Sequence, residues 1–333
     1  MKFIIGAYAS APSNIKCSLD QENLFYEKLI DKNHHIGGLE IPFFGNDINV
    51  FGTDLILRFI KKNWLNVLTC IPASFFSVQK DPEFGLASEN ESSRMEAIKT
   101  HKKANKKLHY ISDKLGYNPF YSIHIASAPS TPVKGVKSNY IQFYRSLEEI
   151  CSWQWLGSRI EVEHCDHSIT SGFRKGFLSL DNEIKAIQKL NKSFNVGISL
   201  NWARSAIEGR GQNKVLEHIE IAKHNKLLHG FIFSGTSLRD KLYGSWNDNH
   251  MPFSKIFNVQ YYEENSLLNY DNVKSTLQAL SKTKLKYLGI KLLSLPLEDL
   301  DITKRVGINN DALYILYKIC NEINWKSEKK MIS

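Results

Sequence analysis

The chain is predicted to be an α/β protein folded as a single (β/α)8 TIM barrel, on three observations. Short apolar or alternating runs recur eight times, each followed by a stretch with helical spacing, which is the order that βαβ units produce. A length of 333 residues suits one such barrel. No Gly-x-Gly-x-x-Gly follows the first strand, the feature expected of an open, dinucleotide-binding sheet.

In chain order, Lys2–Ala9 reads as the first strand and about Asp20–Ile30 as a helix. Gly38–Phe43 is the second strand, with Leu39 and Ile41 on one face and Glu40 on the other. Thr53 then caps a run of Leu55, Ile56, Phe59 and Ile60 at helical spacing. Asn66–Pro72 is the third strand, and a charged helix from about Glu91 to Leu115 stops at Gly116. Phe120–Ala126 is the fourth strand, a helix lies near Ser138–Trp155, and Arg159–His164 is the fifth strand. A helix capped near Ser179–Asp181 leads to the sixth strand, Asn195–Asn201, and another helix spans about Asn213–Lys226. His229–Ser234 is the seventh strand, and Leu238–Ser266 is too long for a turn and reads as a lid or inserted loop. Leu268–Ser281 is helical, Lys286–Leu292 is the eighth strand and Asn309–Ile323 a closing helix.

Composition narrows the function classes. The chain is 42% hydrophobic and 23% charged, ordinary for a globular protein. No apolar run approaches the roughly 20 residues of a membrane span, so no membrane partner is expected. Met1–Ala11 superficially resembles a signal peptide, but its apolar part is short and only Lys2 precedes it, so a first barrel strand is the better reading. Five scattered cysteines without a Cys-x-x-Cys argue for a reducing, cytoplasmic setting. The net charge of +9 is compatible with an anionic ligand. Basic residues are spread over most helices, apart from Lys326, Lys329 and Lys330 in a short tail, 326–333, beyond a barrel domain of 1–325. No basic stripe interleaved with aromatics suggests nucleic acid.

The chemistry centres on Ser158–His167, where Ile160 and Val162 alternate with Glu161 and Glu163 before His164, Asp166 and His167. Two carboxylates on one face of an interior strand are costly without a partner or a purpose. The same parity in the other strands gives an inward polar set of Glu40, His124, Glu161, Glu163, Asn201, Ser234 and Lys291. A barrel interior is normally packed with branched aliphatics, so this convergence marks a candidate site. Glu163, nearest the rim, is the candidate acid/base; otherwise it is a partner for an arginine such as Arg204. Glu161, one layer deeper, reads more simply as a buried ion pair with Lys291. His124 is a proton shuttle or an imidazole bonded to Glu161 or Glu163, and Glu40 is a second rim carboxylate. Lys291 is placed to stabilise an enediolate, bind a carboxylate or form a Schiff base.

Asn201–Gly211, with Trp202, Arg204, Glu208 and Arg210, reads as a rim loop for an anionic or carbohydrate ligand: arginine supplies forked donors and tryptophan a stacking face. Ser234-Gly235-Thr236-Ser237 can present backbone N–H groups to a phosphate. Trp246, Asn249, His250 and Phe253 can close over the site or anchor their loop. His164 is a candidate ligand contact, but His164 and His167 do not have metal-binding spacing.

Gly-Leu-Glu-Ile-Pro (38–42), Ser-Ile-His-Ile (122–125) and Ile-Glu-Val-Glu-His (160–164) resemble the corresponding strands of the xylose-isomerase-like barrels, the sugar-phosphate isomerase/epimerase superfamily. The resemblance covers nearly the whole chain in strand order. It implies a sugar isomerase or epimerase that holds a divalent metal on a carboxylate ending strand five, an Asp or His after strand six, a His on strand seven and a Glu on strand eight. Only Glu163 meets that pattern; Asn201, Ser234 and Lys291 hold the other places. A neutral amide, a hydroxyl and a cation do not make a divalent-metal cage, so a metal-free site is expected, with Lys291 in place of the metal's charge. The expected partner is a small, anionic carbohydrate, with a homo-oligomer left open. A lyase, a glycoside hydrolase or a non-catalytic sugar-binding barrel are the alternatives.

Overall fold

The computed structural model describes residues 1–14, 17–31, 33–167, 175–190, 192 and 194–325. The basic tail expected at 326–333 lies outside the described residues. Eight strands close into a barrel in sequence order, every neighbouring pair parallel. They are β1 Phe3–Ile5, β2 Ile36–Pro42, β3 Asn66–Thr69, β4 Phe120–Ile125, β5 Arg159–Glu163, β6 Val196–Asn201, β7 Leu228–Phe233 and β8 Tyr287–Ile290. The helices around them are α1 Leu19–Asp31, α2 Thr53–Leu57, α3 Ile71–Lys80, α4 Glu91–Leu115, α5 Tyr140–Cys151, α6 Leu180–Lys189, α7 Trp202–Gly209, α8 Gln212–His224, α9 Tyr270–Leu280 and α10 Ile302–Glu322. The (β/α)8 barrel expected from the alternation is therefore the fold. Among the described residues no helix is long and apolar enough to cross a membrane.

Local chemistry explains most boundaries. Asn90, Asn139, Ser179, Asn269 and Asp301 each accept a backbone N–H in the first turn of the helix they precede. Gly116 closes α4 at φ 71°, a left-handed conformation that glycine adopts without strain. Several elements differ from the sequence reading. β1 stops at Ile5, and Ala7–Ala9 form a 3-10 turn where the strand was expected to continue. Thr53 is the first residue of α2 and not its cap, its hydroxyl donating to Asp47, and the helix ends at Leu57, short of Phe59 and Ile60. β3 stops at Thr69, and Pro72 sits in the first turn of α3, where its missing N–H has no partner to lose. The segment read as a rim loop after β6 is helix α7, capped by Asn201. The closing helix starts seven residues earlier than expected, at Ile302, because Asp301 caps it.

Strand parity sorts the residues into two cores. Ile160, Val162, Ile198, Leu200, Phe231, Phe233, Leu288 and Ile290 point outward and join the large core beneath the helices. Inside the barrel the apolar material is small: Ile4, Val67, Ile232 and Tyr287, with Leu65 and Tyr121 at its edge. Inward glycines make room for the larger interior side chains. A Cβ on Gly230 would lie 2.0 Å from the Tyr287 ring, and one on Gly197 would lie 2.0 Å from the His229 ring. Above this plug the interior becomes polar.

Gly230→Ala should therefore lower the unfolding free energy by about 1–3 kcal/mol in a urea titration, through displacement of Tyr287. An unchanged midpoint would show that the phenol can move aside.

Candidate active site

β5 sends Glu161 and Glu163 into the barrel, and parallel pairing sets His124 of β4 opposite Glu161. Lys291, just beyond β8, and Glu40 of β2 arrive at the same end of the barrel, and all five side chains are buried. The Lys291 ammonium lies 2.5 Å from Glu40 Oε1 and 3.2 Å from Glu163 Oε1. Arg204, on the first turn of α7, donates from Nη1 to the same Glu163 oxygen at 2.5 Å. His124 stands between the two β5 carboxylates, Nε2 3.3 Å from Glu161 Oε2 and Nδ1 3.4 Å from Glu163 Oε2. Its Nε2 is also 2.6 Å from the hydroxyl oxygen of Tyr287, which in turn donates to Glu161. The Tyr8 hydroxyl donates to Glu40 at 3.2 Å, leaving Glu40 Oε2 without a protein partner among the described residues.

The charges compensate one another in a space without bulk water. Burial alone would raise the Glu163 carboxyl, but the charges of Arg204 and Lys291 and the bond from His124 hold it well below the usual range. Burial would likewise raise Glu161; hydrogen bonds from His124 and His229 instead hold it down at about 2. For His124 burial works downward, and its bonds to Glu161 and Glu163 overcome it and push the imidazole up to about 9. The Lys291 ammonium, opposed by burial but flanked by Glu163 and Glu40, is also pushed up. Burial and Glu161 keep the Tyr287 phenol protonated.

The mouth is closed by the irregular segment between β7 and α9, tied down by the bridges Gly235–Met251 and Ser237–Ser266. Asp248 in this segment takes Arg204 Nε at 3.1 Å, bonds the Lys175 ammonium and lies 3.2 Å from His250. Phe253 anchors the segment against Phe233. The N–H of Gly235 is already given to Met251, so it is not open to a phosphate.

The structure brings Glu40, His124, Glu161, Glu163, Lys291 and Arg204 together, with Asn201 and Ser234 beside them. Asn201 Oδ1 caps α7 through the N–H groups of Ala203 and Arg204 and accepts the Ser234 hydroxyl at 2.7 Å, while its Nδ2 has no protein partner among the described residues. One expected pairing is corrected: Lys291 pairs with Glu40 and Glu163, and Glu161 pairs with His124, Tyr287 and His229, because Glu161 lies a layer below the ammonium. Four expected ligand contacts lie elsewhere. Trp202 is wholly buried, its indole N–H bonded to Thr276 of α9, so its stacking face is covered. Arg210 ends α7 with its guanidinium over Trp246. Glu208 and His164 meet on the outer side of β5 and β6. Tyr287, Asp248, Lys175 and His229 are additions to the site. Tyr287 shares the parity of Lys291 and was visible in that sense; the loop residues carried no sequence signal.

Outside the barrel, His164 Nδ1 lies 2.7 Å from Glu183 and its Nε2 3.2 Å from Glu208. His218 of α8 completes the group, Nε2 3.3 Å from Glu208 and Nδ1 3.0 Å from the Ser205 hydroxyl. The His167 ring turns instead to the carbonyl of Phe177 at 2.6 Å.

The mouth does not fit the divalent metal that the strand pattern implies. Lys291 itself holds one of the ligand places and stands beside Glu163, the one carboxylate that matches the pattern, and the remaining matching places are the helix-capping Asn201 and the Ser234 bonded to it. A family defined by a domain of unknown function, DUF4862, matches residues 4–308. The chain belongs to that family. An uncharacterized protein of Salmonella typhimurium, STM3670, is 33% identical over 316 residues, covering 95% of this chain and 97% of its own. Solved structures similar in fold include D-psicose 3-epimerase from Clostridium cellulolyticum with D-tagatose, at TM-score 0.56 and 11% identity over 97% of this chain and 99% of that one. A putative sugar phosphate isomerase/epimerase from Anabaena variabilis aligns at TM-score 0.55 and 14% identity, with the same coverage. A xylose isomerase domain protein from Alicyclobacillus acidocaldarius aligns at 0.50 and 12%, over 96% and 99% of the two chains. The fold is that of the xylose-isomerase-like barrels.

His124→Gln should destabilise the protein by about 3–5 kcal/mol, since two buried carboxylates lose their shared partner. The imidazole is raised on folding, so its contribution should be complete below its ordinary value of 6.5 and fade as pH rises through about 9. The stability difference between wild type and variant, measured from pH 6 to 10, should close over that window. A constant difference would mean that His124 is neutral throughout.

Proposed function

We propose that the barrel mouth is the active site of an isomerase or epimerase acting on a sugar, sugar acid or sugar phosphate. The observation that carries this reading is the Lys291 ammonium lodged between Glu40 and Glu163 at the strand ends. In such a reaction a carboxylate removes the proton on the carbon beside a carbonyl, and the bonding pair moves to the carbonyl oxygen. Lys291, held protonated, is suited to stabilise that oxyanion and unsuited to Schiff-base attack, which needs a neutral amine. Glu40, with Oε2 unengaged by protein, is the better base. His124, held protonated beside the ionised Glu163, is the group that returns a proton to the neighbouring carbon or oxygen, and Glu163 stabilises its charge. Because a cation fills the place of the metal's charge, this chemistry is metal-free. Asp248 on the overlying segment holds Arg204 and Lys175, and an anionic group on the substrate would replace it there. A glycosidase is less well supported, since Lys291 fills the gap between the carboxylates where the sugar carbon would sit.

Incubation with a panel of aldoses, ketoses, sugar acids and their phosphates in D2O, followed by proton NMR, should show deuterium uptake beside the carbonyl of one class. Glu40→Gln and Lys291→Met should each slow that exchange about 10²–10⁴-fold with little change in KM. Exchange untouched by Lys291→Met would remove Lys291 from the chemistry. No exchange with any compound would assign the barrel to the non-catalytic class.

A further inference from the structure

We propose that His164, Glu208 and His218 form a binding site for a divalent transition-metal ion of the zinc type, outside the barrel and separate from its mouth. Their donor atoms all lie within 4.8 Å of one another. Each histidine presents Nε2 toward Glu208, at 3.2 Å for His164 and 3.3 Å for His218. Around an ion with bonds of about 2.0–2.1 Å, tetrahedral ligand atoms stand about 3.3 Å apart. The two histidines approach different oxygens of Glu208, Oε2 for His164 and Oε1 for His218, so the carboxylate would bind through both oxygens or turn one toward the ion.

The surroundings are those of a metal site. Both Nδ1 atoms are already engaged, His164 with Glu183 at 2.7 Å and His218 with the Ser205 hydroxyl at 3.0 Å. With Nδ1 carrying the hydrogen, the lone pair of each Nε2 points at the shared centre, which is how outer partners orient metal-binding imidazoles. Glu183 is itself fixed by the Ser127 hydroxyl at 2.6 Å. Once both imidazoles bind as neutral ligands, Glu183 and Glu208 leave two negative charges, which one divalent cation balances in a buried space in place of the proton they draw onto His164. The histidine side chains are 0% and 3% exposed, and Glu208 at 12% is the opening to solvent. Imidazole nitrogens with one carboxylate suit zinc, cobalt or iron(II) and not magnesium or calcium. The ligands come from the end of β5, from α7 and from α8, so the ion would pin together three segments, one of which carries Arg204.

The test is titration of chelator-treated wild-type protein with Zn(II) and Co(II). One equivalent should bind, with a rise in Tm and, for Co(II), visible absorption of a four- or five-coordinate ion; excess Mg(II) should not compete. His218→Ala and Glu208→Gln should each weaken Zn(II) binding at least 100-fold, and Ser205→Ala about 10–100-fold. Glu163→Gln should bind Zn(II) like wild type, which separates this site from the barrel mouth whatever the fate of the isomerase reading. Should His218→Ala fail to fold, Glu208→Gln and the wild-type cobalt spectrum decide. Absence of stoichiometric binding, or binding indifferent to Glu208→Gln, would overturn the site and leave a hydrogen-bonded ion-pair cluster.

Discussion

The burial of Glu163 at the centre of a closed barrel is the constraint on which the rest of this structure turns. A carboxylate there is tenable only if cations surround it, and the chain supplies them from three directions: Lys291 from β8, Arg204 from α7 and His124 from β4. Each cation is then obliged to others. Lys291 needs Glu40, His124 needs Glu161, and Arg204 needs Asp248 on the segment that covers the mouth. Stability and reactivity are thus held in one network, and closing of the mouth is part of its charge balance.

Much of this was legible in the sequence because a strand has a period of two. The alternation in β5 identifies Glu161 and Glu163 as inward, and the same count in β2, β4, β6 and β8 finds Glu40, His124, Asn201 and Lys291. The height of each residue along the barrel axis was not legible. It depends on the stagger between strands, a property of the closed sheet, and so Lys291 was matched with Glu161 when its true partners are Glu40 and Glu163. Helix α7 was hidden for a related reason. Asn201 reads as the inward end of a strand and acts at the same time as a helix cap, and a glycine-rich segment with two arginines looks like a loop. Asp248, Lys175 and His218 come from elements whose placement no local pattern specifies.

Helix α7 joins two chemistries. Its first turn carries Arg204 to Glu163, and its last turn carries Glu208 to His164 and His218. Residues four apart on a helix share a face, yet here one reaches over the strand ends and the other lies behind them, because α7 crosses the rim of the barrel. Asn201, bonded to Ser234 of the next strand end, fixes where that crossing begins.

The inward glycines of β6 and β7 carry a consequence for how this interior can change through descent. Gly197 and Gly230 exist as hollows into which the His229 and Tyr287 rings project. A larger residue at either position meets a ring, and a smaller residue in place of either ring leaves a void beside a buried carboxylate. Neither member of a pair can be exchanged alone without a loss in fitness of fold. Substitutions at 197 and 229, and at 230 and 287, should therefore be inherited together, and homologues that fill the hollow with a side chain are expected to lack the ring and to have re-partnered the position of Glu161.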